Sequence, residues 1–240
     1  MSPNPNPNPH LSPYPPFSPA EARAARERIG LTAHQVALHM SQLGLDRDSG
    51  TVLAWESGAA APTEPELFAL ADALWCPVAV LMARRPVTLR EHRLARQFTP
   101  DRLALRIGMS PQAYALAERE HRWSGDDRQT LLLADALGVG PEEVRALVAR
   151  TSELDRLLRQ AVEGRWKQYV DPLARLAEAD RAGVGRALRT LHQEYARFNE
   201  RYLGHLVARS GDERLREVAA DRAAWLRALP DRFRRLAAGG

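Results

Sequence analysis

The residues able to bind a metal or carry acid–base chemistry do not converge in this sequence. His34 and His39 are five positions apart, so they do not share one helix face, and no acid or cysteine nearby completes a ligand set. His192 and His205 lie 13 apart on one expected helix and read as ordinary surface or core histidines. The single cysteine, Cys76, follows Trp75 near the end of an apolar stretch and reads as a small buried hydrophobe. It excludes an intramolecular disulfide and fits a reducing, cytoplasmic setting. No Ser/His/Asp set, paired carboxylates or Gly-rich phosphate loop stands out. The sequence therefore argues for no enzyme, no cofactor and no metal. What remains is hydrogen-bonding and cationic chemistry. The Gln112 amide can pair bidentately with adenine N6 and N7, and Thr51 can meet a thymine methyl. Arg47, Arg119 and Arg122 can hold phosphates.

Side chains of this kind work only when short helices present them, and the chain reads as all-α. Apolar residues recur at helical spacing from about Ala20 onward, and period-two alternation never persists. No apolar run approaches the ~20 residues that cross a bilayer, so no membrane partner is expected. The N-terminus shows no charged start followed by an apolar block, hence no secretory signal is expected. Residues 1–20, MSPNPNPNPHLSPYPPFSPA, are proline-dense; proline removes backbone donors and fixes φ, so an extended, mobile tail is expected there. Of 34 basic residues only Lys167 is lysine, a bias that looks like a GC-rich bacterial genome. Charge is uneven. Residues 21–86 hold 6 Arg against 8 acids (−2), 87–150 hold 10 against 9 (+1), and 151–240 hold 18 Arg/Lys against 13 (+5). A pI of 9.7 suits a nucleic-acid partner, although the excess lies mainly in the last third.

Residues about 21–83 and about 90–149 repeat one plan. Both close on nearly the same phrase, LFALADALWCPVAVL and LLLADALGVGPEEVRAL. In the second copy Thr99 is placed to N-cap a short helix with Pro100 at its first position. Leu103, Ala104 and Ile107 form its apolar stripe, and Gly108 ends it. Ser110 caps the next helix, with Pro111 at N1 and Tyr114 and Ala117 facing inward. Two short helices joined by a tight Gly-containing turn are a helix-turn-helix.

This arrangement resembles the Cro/lambda-repressor (XRE) family. The first copy supplies Gly30-Leu31-Thr32, Val36-Ala37, Trp55-Glu56, Gly58, Pro62 and Leu70-Ala71-Asp72-Ala73-Leu74. The second supplies Thr99, Leu103-Ala104, Gly108, Ser110, Glu118 and Ala134-Asp135-Ala136-Leu137-Gly138-Val139. The resemblance covers about 130 of the 240 residues. It implies two lambda-repressor-like helix-turn-helix domains (21–86 and 87–150) and a transcriptional regulator that binds double-stranded DNA. The sequence departs from that pattern in two places. Thr32 to Trp55 spans 23 positions and Thr99 to Ala117 spans 18, the usual spacing, so the first copy carries five extra residues within SQLGLDRDSG. These extra residues either extend the second helix or loop out, with Arg47 among them. Ala117 stands where the family usually has Trp, so the second core is expected to be less filled there.

Recognition helices read bases through the exposed positions after the N-cap. With Asp48 as the first cap, Ser49, Gly50, Thr51, Leu53 and Ala54 face outward and Val52 inward. In the second copy Pro111, Gln112, Ala113, Ala115 and Leu116 are exposed, with Arg119 and Arg122 just beyond as phosphate clamps. Neither face offers an Arg to grip guanine, so Gln112 is the best single reader. Residues 151–240 read as a C-terminal helical domain of about three long helices: Ser152 to about Asp180, Val184 to about Arg209, and Asp212 to about Leu236. Leu188, Leu191, Tyr195, Phe198, Tyr202 and Leu206 form a wide apolar stripe. That stripe is expected to serve as core plus homodimer interface; the alternative is a pocket for a small apolar effector. A different function class stays open beside DNA binding, in which the repeats dock a protein partner such as an antitoxin or sigma factor.

Overall fold

A computed structural model describes residues 14–207 and 212–238, and all regular structure among them is helical. The chain divides into two units. One holds residues 14–118 and 122–148; the other holds 119–121 and the residues from 149 onward. Both sequence repeats therefore fall in one unit, save residues 119–121 and 149 of the second.

In that unit the first repeat contributes α1 (Pro19–Arg28), α2 (Ala33–Gln42), α3 (Ser49–Glu56), α4 (Glu64–Ala73) and α5 (Val78–Met82). The second contributes α6 (Leu89–Ala95), α7 (Pro100–Arg106), α8 (Pro111–Arg119), α9 (Asp127–Leu137) and the start of α10 (Pro141–Glu163). Short polar side chains start these helices by accepting from orphan backbone N–H groups. Ser18, Thr32 and Asp48 cap α1, α2 and α3; Thr88, Thr99 and Asp126 cap α6, α7 and α9. Ser110 Oγ accepts from Ala113 N at 3.2 Å at the start of α8. Capping boxes reinforce α2, α4 and α9.

Each repeat has its own core. Val36, Met40, Val52, Trp55, Leu67, Leu70 and Leu81 fill the first; Leu103, Ile107, Tyr114, Leu133, Leu137 and Val144 fill the second. The expected mobile tail is too long. Of residues 1–20, the first thirteen lie outside the described residues. Residues 14–20 are anchored: Pro15 is buried, Phe17 packs on the first core, Ser18 N donates to Leu81 O at 2.7 Å, and α1 begins at Pro19. Proline permits this because N1 needs no N–H.

The other unit is built around α12 (Arg181–Val207), packed by α11 (Val170–Ala177), α13 (Asp212–Arg227) and α14 (Leu229–Ala238), with a 3-10 turn at Trp166–Tyr169. Of the three long helices expected here, the second forms as α12, and the first and last are divided differently. The first helix of this region is already running as α10, because no Gly or Pro interrupts the chain between Pro141 and Gly164. The last expected helix breaks at Ala228, since the following Pro230 cannot donate into a continuing ladder. The aromatic stripe is covered from within the chain. Tyr195 and Phe198 each lie 5.8 Å, centroid to centroid, from the fully buried Trp225, and Phe233 and Leu229 close the remaining space. Tyr195 and Phe198 are thus buried in the core of this unit, and on α12 Tyr202 and Leu203 stay exposed. The His192 ring nitrogen Nδ1 meets Val162 O at 2.9 Å, a structural role. The side chains of His205 and Leu206 lie outside the described residues.

No described helix is long and apolar enough to cross a membrane, and no group of three His, Cys, Asp or Glu among the described residues is arranged to hold a metal.

Candidate nucleic-acid interface

The two repeats each hold an arginine–glutamate ion pair at matching places. Arg26 on α1 forks onto Glu56 at the end of α3 (Nε–Oε1 2.6 Å, Nη2–Oε2 2.8 Å) and donates to Leu31 O at 2.9 Å. Arg93 on α6 forks onto Glu118 near the end of α8 (2.7 and 3.1 Å) and donates to Phe98 O at 2.7 Å. In both cases the arginine reaches a carbonyl five residues on; the carboxylate lies 30 residues on in the first repeat and 25 in the second. The difference equals the five-residue insertion. Three of those residues lengthen α2, which has ten residues against seven in α7. The other two lengthen the connection, where Gly44 and Gly108 both turn left-handed (φ 84° and 69°) before the caps Asp48 and Ser110. Both alternatives posed by the sequence are realised together.

The helix faces divide inside from outside as the spacing predicts. Val52 and Trp55 point inward on α3; Tyr114 and Ala117 occupy the matching positions on α8. Large and small have exchanged places along one helix face, and the Tyr114–Ala117 pair is smaller than the Val52–Trp55 pair, so the exchange replaces only part of the indole. Tyr114 is fully buried and its hydroxyl donates to Glu118 Oε1 at 2.7 Å. Burial and the neighbouring Glu118 charge push its phenol above the usual tyrosine range, so it stays a neutral donor. Trp123, from beyond α8, also packs on this core and donates Nε1–H to Thr130 Oγ1 at 2.8 Å.

On α3, Ser49, Thr51 and Ala54 are half-buried and Gly50 and Leu53 are exposed. Thr51 gives both its N–H and its hydroxyl to Asp48 Oδ1, at 2.7 Å each, so its hydroxyl is spent on the cap and its methyl is what remains. Arg47 does not reach out as a free phosphate clamp. Its Nε binds Glu66 Oε1 at 2.5 Å and its Nη1 binds Asp46 O at 2.6 Å. The side chain is thereby folded onto the start of α4, where Glu66 also accepts from Thr63 N and Oγ1. On α8, Pro111 and Ala113 are half-buried, and Gln112, Ala115 and Leu116 are exposed. The Gln112 amide has no hydrogen-bond partner among the described residues. Arg119 is exposed and pairs loosely with Glu120 at 3.2 Å; Arg122 is exposed with no ion pair among the described residues. Gln129 ties α9 to the turn before α8 by donating to Gly108 O at 2.9 Å.

Two features have no counterpart in the sequence-based expectations. The first is that Arg93 also binds Glu64, the first residue of α4 (3.1 and 3.4 Å), and Arg90 joins the same carboxylate at 2.8 Å. Burial opposes ionisation of Glu64, but Arg93 and Arg90 outweigh it and hold the carboxyl below its ordinary range. For Arg93 likewise, burial is outweighed by Glu118 and Glu64, and the guanidinium is held charged. The second is Trp75, which is 74% exposed at φ 49°, where the second repeat has Gly138 at φ 68°. It borders a surface cleft of about 450 Å³ shared by the two repeats, with Asp72, Cys76, Val78, Arg96 and Gln97. Burial pushes the Cys76 thiol up, with Arg28 opposing, so it is held as a thiol.

No family model, curated protein or solved structure matches this chain.

Proposed function

We propose that the chain is a sequence-specific DNA-binding transcriptional regulator of the helix-turn-helix kind, and that its second repeat makes the base contacts. The observation that carries this is α8 itself. Its inner face is fixed by Tyr114, Ala117 and the Arg93–Glu118 pair, while an unpartnered Gln112 stands exposed in its first turn. A rigid helix with one free bidentate amide at its N-terminal end, followed by exposed Arg119 and Arg122, matches what major-groove readout requires. Pairing of two chains through the C-terminal helices belongs to the same proposal; Tyr202 and Leu203 are the apolar residues that α12 leaves outside.

The test is selection of duplex DNA from a random pool, followed by affinity measurement on the selected site. Gln112→Ala is expected to lower discrimination at one A·T pair by about 1–3 kcal/mol while leaving affinity for random DNA nearly intact. Equal loss on every sequence, or no loss, sinks the assignment of Gln112 as reader.

A second reading has its own observation. Trp75 holds a strained backbone and exposes its ring beside a cleft, a pattern associated with binding of a non-DNA partner. Salt separates the two readings: phosphate contacts weaken steeply as salt rises, and burial of an indole does not.

A further inference from the structure

The two repeats are unequal in what they expose. The exposed and half-exposed positions of α3 carry no cation, and the arginines closest to it in sequence or contact, Arg26 and Arg47, are bound to Glu56 and Glu66. Toward the second repeat the first extends Asp72, which accepts from Gln97 at 2.9 Å, and Glu64. The Glu64 carboxylate reaches Arg93, whose side chain is 1% exposed and whose other bonds go to Glu118 on α8 and to Phe98 O in the turn before α7. One guanidinium thus ties the N-terminus of α4, the end of α8 and the α6–α7 turn into a single buried node. Arg26 has the same two kinds of partner within its own repeat, and its second carboxylate, Glu27 at 3.9 Å, is its neighbour on α1 rather than a residue of the other repeat.

We propose that the first repeat acts as a brace rather than a reader: Glu64, through Arg93, is a positioning residue that sets α8, so that one chain reads a DNA site whose base-specific contacts lie in one half only. The proposal rests on the DNA-binding reading for its ligand and on the buried node for its mechanism. A buried guanidinium satisfied on three sides has one permitted orientation. Removing the Glu64 charge leaves Arg93 held by Glu118 and Phe98 O alone, the two kinds of partner that Arg26 has behind α3. The first repeat then contributes to selectivity without touching a base.

The experiment compares Glu64→Gln with Glu66→Gln in the full chain. Both residues lie in the first turn of α4, so both changes remove the same kind of helix-terminal charge, but only Glu64 touches Arg93. Native-state hydrogen exchange without DNA is the first readout. Glu64→Gln is expected to speed exchange of the α8 amides about tenfold while leaving α3 unchanged, and Glu66→Gln to leave α8 unchanged. The second readout is affinity for the selected and for random DNA. Glu64→Gln is expected to reduce the ratio between them about five- to tenfold, and Glu66→Gln to preserve it. Unchanged α8 exchange in Glu64→Gln, or equal acceleration of α3 and α8, overturns the brace whether or not DNA binds. Altered α8 exchange in a protein that selects no DNA keeps the brace and overturns the DNA reading instead. If Glu64→Gln does not fold, Glu64→Asp, which keeps the charge on a shorter arm, is put through the same two measurements, and the same results support or overturn the brace.

Discussion

Helices α3 and α8 occupy matching places in two copies of one plan, yet they are stabilised and decorated differently. On α3 a tryptophan fills the core, a valine sits one turn earlier, and the outer face is small and uncharged. On α8 a tyrosine fills the core from the valine position, an alanine stands in for the tryptophan, and the outer face offers an unpartnered amide. The lock behind α3 is an ion pair inside one repeat; the lock behind α8 is shared by both. A duplicated unit can therefore keep its backbone plan while core volume, electrostatics and surface chemistry drift apart, provided that each change is compensated nearby.

The largest expected difference between the copies is at the two arginines. Arg93→Met leaves Glu118 without its cation and Glu64 with Arg90 alone, and should cost about 3–5 kcal/mol of unfolding free energy. Arg26→Met strands only Glu56 and, with Arg26 more accessible, should cost about 1–3 kcal/mol. Denaturant unfolding of the two variants measures both; equal losses would mean that Glu64 adds nothing to the second lock.

The core exchange is the next place to press. Trp55→Ala should destabilise the first repeat by about 3–5 kcal/mol. Ala117→Trp alone overpacks the second core, at about 1–3 kcal/mol. Adding Tyr114→Val to Ala117→Trp recreates the first repeat's pair and should recover part of that loss, while giving up the Tyr114–Glu118 bond. No recovery at all in thermal or chemical unfolding would refute volume exchange as the reason the alanine is tolerated.

The smallest effect is with pH. Glu64 has a folded pKa below its unfolded value, so the unfolded chain binds the extra proton over the window between them. The stability it supplies is complete above the ordinary glutamate range, near pH ~4.3, and fades as pH falls through the lower folded value. An acid titration of unfolding free energy should therefore be flatter in Glu64→Gln than in the parent chain.

Much of this architecture is legible in the sequence. Thr99-Pro100, Ser110-Pro111 and Asp48 announce helix starts because their side chains can meet orphan N–H groups. Val52, Tyr114 and Ala117 are inward by helical spacing alone. The break at Pro230 and the uninterrupted run from Pro141 are also present in the sequence, as a breaker and as the lack of one. The fate of Arg47 is not legible, because its partner Glu66 lies 19 residues away on another helix. The Arg93–Glu64 contact, 29 residues apart, is hidden for the same reason. The stripe on α12 is visible, but not that Trp225 and Phe233 of the same chain cover it, since periodicity gives a face and not its occupant.

The split of the extra residues between α2 and the following connection bears on how this unit tolerates changes of length. Three added residues advance the end of α2 by about 4.5 Å and most of a turn. Two more let the chain return to the same closing contact, Arg26 with Glu56. Enlarging a connection costs only a few tenths of a kcal/mol in closure entropy. The segment between Met40 and Asp48 is therefore a place where the unit accommodates extra length without losing its closing contact.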